Sequence, residues 1–464
     1  MHSELIVIGG GPAGLAAAVT AAQAGMRVAL VDSGDNLGGQ YFRHSQSSAN
    51  VAHPEGWESF QKLVAQFELA QQQHALTYLS RTAVWSISEV GEEFVVRARK
   101  GERNPEPIEV CAERLILATG AHDRALPFNG WQLPGSMTIG GAQSLLKGSG
   151  TLAGSAIVIA GTGPFLLATA AGLVKAGANV VAVVEANTFA GMSKYPRALI
   201  AARTKLFQAL NYLATLRIAG TKMIEHGHVV KAHSTNGVVS AVDVLTRKGI
   251  RTISCDTVAT GWGFVPQLEL AVSLGLKTIR SADGALVVEV DENQQSSHPH
   301  LWCAGETTGI AGSDAATVEG FIAGNSAAVS AGLPATNDVQ WRKLRKRLQT
   351  FADYLPRAYP IPENWPADIS DETMMCRCEE VTAGDVRQAI DDFGAEDARS
   401  AKLFARVGMG WCQGRMCSRA CSDFIAHELN QTVTDAELNG SAKRPIAAPI
   451  TLGMLADWRS AETL

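Results

Sequence analysis

The order of hydrophobic and polar positions at the start of the chain predicts a strand, a tight turn, a helix and a second strand. The apolar run at 5–8 precedes a glycine-rich turn, and small residues from Leu15 to Gly25 fit a closely packed helix. A second apolar run at 28–31 ends on Asp32. Short, continuous apolar runs are typical of strands buried in a parallel sheet. The opening stretch therefore predicts a βαβ unit.

The glycine spacing of this unit indicates a dinucleotide site. The first glycine permits a tight turn, the second lets a pyrophosphate approach the backbone, and the third lets the helix pack closely on the strand. The phosphates then lie at the helix N-terminus, and Asp32 is placed to accept hydrogen bonds from an adenosine ribose. The turn residues expected to line this site are Gly9, Gly11, Pro12, Ala13 and Gly14.

The same pattern recurs in the middle of the chain. An apolar run at 157–160 leads into Gly161-Thr162-Gly163, a helix follows, and the run at 180–184 ends on Glu185. Each copy later closes with the tripeptide Ala-Thr-Gly, at 118–120 and at 259–261. Two such units predict an α/β protein with tandem, doubly wound nucleotide-binding domains.

The second copy differs from the first at one position. Leu166 stands where the first copy has Gly14, and a leucine there obstructs close packing or the path of the ligand. Glu185 suits a free ribose hydroxyl and repels a 2′-phosphate, which disfavours NADPH. Gly161, Gly163 and Glu185 therefore belong either to a working nucleotide site or to a retained scaffold.

Further segments return to the first site. Their turns consist of small residues, so a ligand can approach the backbone closely, and the strands that precede the turns at 118–120 and 303–306 are apolar. Leu301 to Glu306 is a strand that ends in a glycine–acid turn, which brings a carboxylate to the start of a Gly/Ala-rich helix. The other residues of these turns that we expect near the ligand are Gly39, Gln40, Thr119, Gly120 and Gly305. The neighbouring His122-Asp123-Arg124 is most simply a set of surface-loop charges, with a role beside the cofactor as the alternative.

Residues 331–370 are predicted to connect two regions. Apolar side chains recur at helical spacing between Val339 and Leu355, and basic residues surround them. We interpret the basic residues as a solvated helix face, with docking of a partner or a phosphate as the alternative. Prolines at 356, 360, 362 and 366 predict that the helix ends there and a linker follows.

The cysteines near the C-terminus indicate a metal centre. Cys376 and Cys378 flank an arginine, and Cys412 and Cys417 follow in a glycine-rich loop. The thiols of Cys-x-Cys point to alternate sides of an extended chain, so each pair is expected to hold one iron of a 2Fe–2S cluster. Structural zinc is the alternative, and Cys421 is an alternative to Cys417 as the fourth ligand. Arginines that can offset the charge of a cluster are Arg377, Arg406, Arg415 and Arg419.

Composition excludes several classes of function. The chain has 464 residues with 40 Lys and Arg against 45 Asp and Glu, so no basic surface for nucleic acid is expected. Its apolar stretches are short or broken by glycine, and none predicts a membrane span. The start lacks the features of a signal peptide, and 8 cysteines in a chain of this length suit a reducing compartment, so a cytoplasmic location is expected.

Over nearly its whole length the chain resembles the FAD/NAD-type subunit of bacterial multi-subunit amine and amino-acid dehydrogenases. This family includes the A-subunit of opine (octopine and nopaline) oxidase, subunits of D-hydroxyproline and dye-linked L-proline dehydrogenases, and the B-subunit of hydrogen cyanide synthase. The segments that carry the resemblance are 9–14, 38–40, 131–135, 303–306, 376–379 and 408–417. The last two segments are similar to the 2Fe–2S domain of bacterioferritin-associated ferredoxin.

The resemblance implies a glutathione-reductase-like flavoprotein with a small, mostly helical 2Fe–2S domain. It implies that FAD, or another adenine nucleotide, occupies the first site, with Glu306 at the ribityl chain. It also implies a domain division into 1–150 with 265–330 for FAD, 151–264 for the second nucleotide unit, 331–370 for the connector, and 371–464 for the 2Fe–2S domain and tail.

The resemblance further implies a role in electron transfer. In such complexes a D-amino-acid-oxidase-like FAD subunit oxidises the amine, FMN often lies at the subunit boundary, and the present type of subunit relays electrons. A small ferredoxin-like third subunit and a peripheral link to the respiratory chain are further expectations. The sequence leaves two other functions open: an NADH-dependent reductase that feeds its own cluster, and a non-catalytic scaffold.

Overall fold

The first nucleotide-binding unit begins as the hydrophobic pattern predicts. The structure is a computed structural model that describes residues 1–45, 53–201 and 203–461. The strands of residues 1–150 are β1 (Leu5–Ile8), β2 (Val28–Val31), β3 (Leu76–Leu79), β4 (Thr82–Val90), β5 (Glu93–Lys100), β6 (Glu106–Ala112), β7 (Arg114–Leu117), β8 (Ala121–Asp123) and β9 (Ser136–Thr138). The helices are α1 (Pro12–Gln23), α2 (Trp57–Gln72) and α3 (Ile139–Ser149).

The second unit repeats this plan. Its strands are β10 (Ala156–Gly161), β11 (Asn179–Glu185), β12 (Lys222–Glu225), β13 (Gly227–Thr235), β14 (Val238–Thr246), β15 (Gly249–Ser254), β16 (Thr257–Gly261) and β17 (Phe264–Pro266). Its helices are α4 (Phe165–Lys175), α5 (Pro196–Ala201) and α6 (Arg203–Ile218), with a 3₁₀ turn at Gly191–Lys194.

The chain then returns to the first unit and continues into the C-terminal region. The returning elements are α7 (Glu269–Ser273), β18 (Thr278–Arg280), β19 (Leu286–Val288), β20 (Leu301–Cys303) and α8 (Ser313–Ser330). The C-terminal elements are α9 (Val339–Ala358), β21 (Met374–Cys376), β22 (Val381–Thr382), α10 (Ala383–Asp391), α11 (Ala398–Ala405), α12 (Ser418–Glu428), α13 (Asp435–Ala442) and α14 (Leu452–Ala461).

The two parallel sheets have matching strand orders. The first is β20-β7-β1-β2-β3 and the second is β12-β11-β10-β16-β9. In both sheets the strand before the glycine turn, β1 or β10, lies in the middle. On one side it pairs with the strand that leads to the acid, β2 or β11, and on the other side with the strand that leads to Ala-Thr-Gly, β7 or β16. A three-stranded antiparallel sheet accompanies each, β4-β5-β6 and β13-β14-β15. The predicted tandem Rossmann-like fold is confirmed.

Helices α1 and α8 pack unusually closely because glycines face backbone atoms at their contact. A Cβ at Gly320 would lie 2.0 Å from the carbonyl oxygen of Ala13, and one at Gly324 would lie 2.4 Å from that of Ala17. This contact fixes the start of α1 beside the turn that follows β20, so two parts of the first site that are distant in sequence meet.

The connector helix extends beyond its predicted end. Helix α9 continues through Pro356 to Ala358, although the proline was expected to end it at Leu355. Proline lacks one backbone N–H, and a helix tolerates that loss near its end when packing supports the last turn. Ala358 is buried against Met192 and Ala198 of the second unit, which supplies that support.

Candidate functional site

The first glycine turn has the geometry that its sequence predicts. Gly9 has a φ of +107°, and a Cβ on it would lie 2.2 Å from the carbonyl oxygen of Ala118. A Cβ at Gly14 would lie 1.7 Å from the carbonyl oxygen of Gly9. These two glycines therefore allow the close packing of strand, turn and helix, and any side chain at either position disrupts it.

Gly11 has space around it, unlike Gly9 and Gly14. A Cβ there would meet no described atom closer than the Cα of Gly39, at 3.9 Å. Gly39 has a φ of +59°, and a Cβ on it would lie 2.9 Å from the Cα of Gly11, so the second glycine turn lies directly over the first. Helix α1 starts at Pro12 without a side-chain cap, so its first N–H groups remain for an anion. This arrangement fits a pyrophosphate.

The acid at the end of β2 is held by the backbone of the turns around it. Backbone N–H groups of Gly34, Gly10 and Ser33 donate to Asp32, and burial nevertheless raises the pKa of that carboxyl. Nearby, the hydroxyl of Tyr78 is buried without a hydrogen-bond partner among the residues described. Burial, followed by the charges of Asp32 and Asp35, raises the pKa of Tyr78. A buried polar group of this kind fits a site completed by a ligand.

The turn after β20 brings Glu306 to the same site. Within the described part of the chain its carboxyl has no hydrogen-bond partner, and burial together with the charge of Asp123 raises its pKa to about 7. Gly305 has a φ of +79°, and a Cβ there would lie 2.9 Å from the Cβ of Ala13. The turn is thus close to the start of α1, as a bound ribityl chain requires.

Two residues that sequence reasoning missed support this turn. Glu319 is buried and accepts hydrogen bonds from the N–H of Gly305 at 2.9 Å and the hydroxyl of Thr308 at 3.0 Å. Arg345 of α9 donates to the other oxygen of Glu319 at 3.0 Å. Part of the basic face of α9 is therefore an internal anchor and not solvated, which corrects the prediction for Arg345. The sequence signal that could have indicated this role is a single glutamate within a helix of mostly small residues.

The remaining predicted residues of the first site lie at its edges. The hydroxyl of Thr119 donates to the carbonyl of Gln267 at 2.8 Å and lies 3.3 Å from that of Thr307, next to Glu306. Gly120, in the same turn, has a φ of +71° and open space around it. The Oε1 of Gln40 accepts from Arg43 at 2.9 Å.

The charges of His122-Asp123-Arg124 are not on a surface loop, which corrects that interpretation. They form strand β8 and its end, paired with β17. Asp123 receives hydrogen bonds from Thr138 and from the N–H groups of Gly140 and Gly141, at the start of α3. Arg124 is buried and forms an ion pair of 2.7 Å with Asp423 of the C-terminal region. This strand therefore joins the first site to the cysteine domain.

The second glycine turn has the expected backbone but different neighbours. Gly161 has a φ of +141°, and Gly163 has a φ of +92°. Glu185 is 1% exposed and accepts from Thr162 at 3.0 Å and from the N–H of Gly163 at 2.9 Å. The N–H of Asn187 also donates to Glu185 at 3.0 Å. Its counterpart in the first unit, Asp32, accepts from backbone N–H groups alone among the residues described, whereas Glu185 also accepts from the side chains of Thr162 and Asn187.

The four predicted metal ligands meet in the C-terminal domain. Cys376 ends β21, Cys378 follows it, and Cys412 and Cys417 lie on the loop before α12. The thiol of Cys417, followed by backbone N–H groups of Gly408, Glu379 and Cys378, lowers the pKa of Cys376 to about 5. N–H groups directed at sulfur are typical of iron–sulfur sites. A Cβ at Gly410 would lie 2.1 Å from that of Cys378, so the loop needs glycine there.

The thiols pair differently from the sequence prediction. Cys376 lies beside Cys417, and Cys378 lies beside Cys412, so the close pairs join the two segments. No three of these thiols lie within 4.8 Å of one another, whereas four ligands of a tetrahedral zinc would all be about 3.8 Å apart. Two separate pairs fit two iron atoms. One pair is buried at Cys376 and Cys417, and the other, at Cys378 and Cys412, reaches the surface.

Cys421 lies behind this set. It is 1% exposed on α12, and burial, followed by the charges of Cys376 and Glu437, raises its pKa to about 12. Its backbone N–H donates to the carbonyl of Cys417, so it sits one helical turn beyond the loop. This environment favours a neutral packing thiol. The other cysteines, Cys111, Cys255 and Cys303, are buried.

The arginines around the loop have other partners than the cluster. Arg406 pairs with Glu379 at 3.0 Å, and Arg419 pairs with Asp423 at 3.1 Å. Arg377 lies over the ring of Trp131, 5.1 Å from its centroid. The prediction that these charges offset the cluster is thereby modified, since carboxylates already neutralise Arg406 and Arg419.

Arg415, between Cys412 and Cys417, connects the cysteine loop to the first nucleotide-binding unit. It pairs with the buried Glu269 at 2.9 Å, two residues beyond Gln267, which accepts the hydrogen bond of Thr119. Arg415 also donates to the carbonyl of Ala447 in the C-terminal tail. One ion pair therefore spans the boundary between the edge of the nucleotide site and the cysteine loop.

None of the helices that the structure describes is long and apolar enough to cross a membrane.

Comparison with known proteins agrees with both sites. Residues 3–327 match the family model of pyridine nucleotide-disulphide oxidoreductases, and residues 374–427 match that of BFD-like [2Fe-2S] binding domains. The first family's fold implies FAD and NAD binding, and the second implies a 2Fe–2S cluster. The residues of the first turn and the four thiols fit these groups, as their open cradle and paired sulfurs show.

Relatives cover almost the whole chain. The hydrogen cyanide synthase subunit HcnB of Pseudomonas protegens is 32% identical over 91% of this chain and 92% of its own. The A-subunit of opine oxidase from Agrobacterium tumefaciens is 30% identical over 98% of this chain and 91% of its own. The crystal structure of L-proline dehydrogenase from P. horikoshii has a TM-score of 0.70 at 19% identity, over 98% of this chain and 79% of that one.

The relatives are named as subunits, and the fold, the glycine turns and the paired cysteines are those of a flavoprotein with an iron–sulfur domain. The chain belongs to the pyridine nucleotide-disulphide oxidoreductases and, within them, to the family of the opine oxidase A-subunit and the hydrogen cyanide synthase subunit HcnB.

Proposed function

We propose that this chain relays electrons in a heteromeric dehydrogenase or oxidase, in which a second flavoprotein subunit oxidises an opine, an amino acid or a related secondary amine. The observation that carries the proposal is the contact between the cysteine loop and the edge of the first nucleotide site, through Arg415 and Glu269. One ion pair thereby links the edge of the nucleotide site to the cysteine loop. The names of the relatives, opine oxidase and L-proline dehydrogenase, support the amine class of substrate.

The residues of the chain have distinct parts in this proposal. Gly11 and the start of α1 hold the pyrophosphate, Asp32 holds the ribose, and Glu306 holds the ribityl chain. Bound FAD takes up electrons in pairs, whereas a 2Fe–2S cluster takes them singly, so the two together join a two-electron donor to a one-electron acceptor.

The two cysteine pairs differ in how deeply they are buried. Cys376 and Cys417 pack in the same core as Leu126 and Trp262 of the nucleotide-binding units. Cys378 is exposed and Cys412 is half-buried, beside Trp411, whose exposed fraction is 80%. A 2Fe–2S cluster held by these thiols would therefore have one side toward the nucleotide-binding units and the other toward the surface, where it would exchange electrons with a partner.

The partner in this proposal is a D-amino-acid-oxidase-like FAD subunit. We extend the proposal to FMN at the boundary between the subunits and to a small ferredoxin-like third subunit. Counting FAD, FMN, iron and protein chains in the purified complex checks each of these components separately.

Co-expression with a D-amino-acid-oxidase-like flavoprotein subunit tests the function. Size-exclusion chromatography and a dye-reduction assay with octopine, nopaline, proline and hydroxyproline are run on the isolated chain and on the complex. The proposal predicts a stable complex and turnover of at least one substrate by the complex alone. Equal turnover by the isolated chain would show that it has its own substrate site.

A further inference from the structure

The connector covers the second nucleotide site with the chain's own residues. After α9 ends at Ala358, Tyr359 and Pro360 cross the second glycine turn. The Thr162 hydroxyl, which also donates to Glu185, lies 3.2 Å from the Tyr359 carbonyl, and the side-chain amide of Asn187 donates to that of Pro360 at 2.9 Å. This segment, residues 359–360, is called the strap below.

The ring of Tyr359 lies where the adenosine of a dinucleotide belongs. Its Cβ is 4.0 Å from the position of a Cβ on Gly163, and its hydroxyl donates to the carbonyl of Phe189 at 3.1 Å. The side chain therefore spans from the glycine turn to the loop after Glu185. In a Rossmann unit, that space beyond the ends of the first two strands receives the adenosine ribose and base.

The packing of α9 holds the strap in place. Tyr354 and Leu355 belong to the apolar cluster of Met192 and Ala198 in the second unit, and the rings of Tyr195 and Tyr354 are 5.0 Å apart. A Cβ at Gly191 would lie 2.6 Å from the carbonyl oxygen of Ala358, so backbone meets backbone there. The N-terminal half of α9 is held by the ion pair of Arg345 with Glu319. Removing the strap thus requires moving a helix that is anchored in both halves.

We infer that Tyr359 determines cofactor specificity: it takes the place of adenosine in the second unit and prevents NAD(H) from binding there. Glu185 keeps the acid of the motif, but the strap, held by Thr162 and Asn187, covers the space beside it. The second unit is then a scaffold that fixes the connector, and pyridine nucleotides do not feed electrons to this chain. The inference concerns the second site alone and does not depend on the proposed function.

Nucleotide binding to strap variants tests the inference. The first site is closed by Gly11→Val, and binding of NADH is measured by its fluorescence and by calorimetry. Gly11→Val alone is expected to show no saturable binding. Adding Tyr359→Ala is expected to raise the affinity for NADH at least tenfold, and Glu185→Ala in that background is expected to abolish the gain.

A matched variant separates the effect of the tyrosine ring from that of its hydroxyl. Tyr359→Phe keeps the ring and loses only the hydroxyl bond to Phe189, so it should bind no more NADH than its parent. Circular dichroism establishes that the variants are folded. As a second readout, hydrogen exchange of segment 356–362 in the unmodified chain should not change with NADH. Three results would each overturn the inference. The first is NADH binding by the Gly11→Val variant that a further Glu185→Ala change removes, and the second is a change in the exchange of segment 356–362 with NADH. The third is a folded variant with Gly11→Val and Tyr359→Ala that does not bind NADH.

Discussion

At the scale of single residues, glycines in the same motif have opposite tolerance for a side chain. Gly14 touches backbone, whereas Gly11 borders open space. Spacing alone identified both, because the motif is local and each glycine has a fixed place in it. Spacing did not indicate Glu319 or Tyr359, since their contacts join residues that are far apart in sequence: Thr162 and Tyr359 are separated by 197 positions. No local periodicity carries such information.

The two glycines give a paired prediction. Gly11→Val should leave the stability nearly unchanged and remove most of the adenine nucleotide that copurifies, because its side chain enters the pyrophosphate path. Gly14→Ala should destabilise the fold by about 3 kcal/mol or more, because its Cβ meets the carbonyl of Gly9. Urea unfolding and nucleotide content after denaturation measure both effects. Unchanged nucleotide content in Gly11→Val would place the nucleotide elsewhere.

Glu306 predicts a dependence of stability on pH. Burial and then Asp123 raise its pKa to about 7 from the ordinary 4.5. A carboxyl with a raised pKa in the folded state favours folding at low pH, and its contribution is lost as the pH rises from about 4.5 through about 7. Glu306→Gln should therefore become more stable than the unmodified, flavin-free chain as the pH rises through this range. If urea unfolding shows the same difference in stability between the variant and the unmodified chain at every pH in this range, the raised pKa of Glu306 is contradicted.

The cysteine ligands give a third prediction at this scale. Cys417→Ser should lose the visible absorbance and acid-labile sulfide of the cluster, because its thiol is paired with Cys376. Cys421→Ser should retain both, because Cys421 is a buried thiol behind the set. Iron and acid-labile sulfide are measured in both variants and in the unmodified chain. Stoichiometric zinc without sulfide in the unmodified chain would show that the four thiols hold zinc and not a 2Fe–2S cluster.

At the scale of elements, apolar runs and helical spacing were enough to predict most of the nucleotide-binding units. The opening strands, β10 and β11 lie where the patterns place them. The charges at β8 and just after it were misassigned, because a three-residue strand with two polar residues looks like a loop when its partners are unknown. Those partners, β17 and the cysteine domain, come from distant parts of the chain.

The ion pair between α7 and the cysteine loop should have a measurable coupling energy. Arg415→Met and Glu269→Gln should each cost about 3 kcal/mol, and the double variant should cost little more than either alone. The exposed pair Arg27–Glu4, whose charged atoms are 3.5 Å apart, is the control and should contribute under about 0.5 kcal/mol. Denaturant unfolding of all six variants gives the two cycles, and additive effects at Arg415 and Glu269 would deny a shared contact.

At the scale of the whole molecule, the arrangement separates two kinds of site that resemble each other in sequence. Both glycine turns look capable of binding a nucleotide, but only the first has an open cradle and an unpartnered carboxyl at Glu306 in the described part of the chain. The second is covered by the strap, which also ties the connector to its unit. Family resemblance predicted the domain types, whereas the covering of the second turn depends on long-range packing that only the folded chain reveals.

The most direct test of the relay is anaerobic addition of the amine substrate to the complex, with the absorbance and paramagnetic resonance of the 2Fe–2S centre recorded on the timescale of turnover. The account predicts reduction of the centre within the time of one turnover in the complex, no reduction in the isolated chain, and slower reduction in the complex that carries Arg415→Met. A centre that stays oxidised while the complex turns over, or one that the substrate reduces in the isolated chain, would contradict the account.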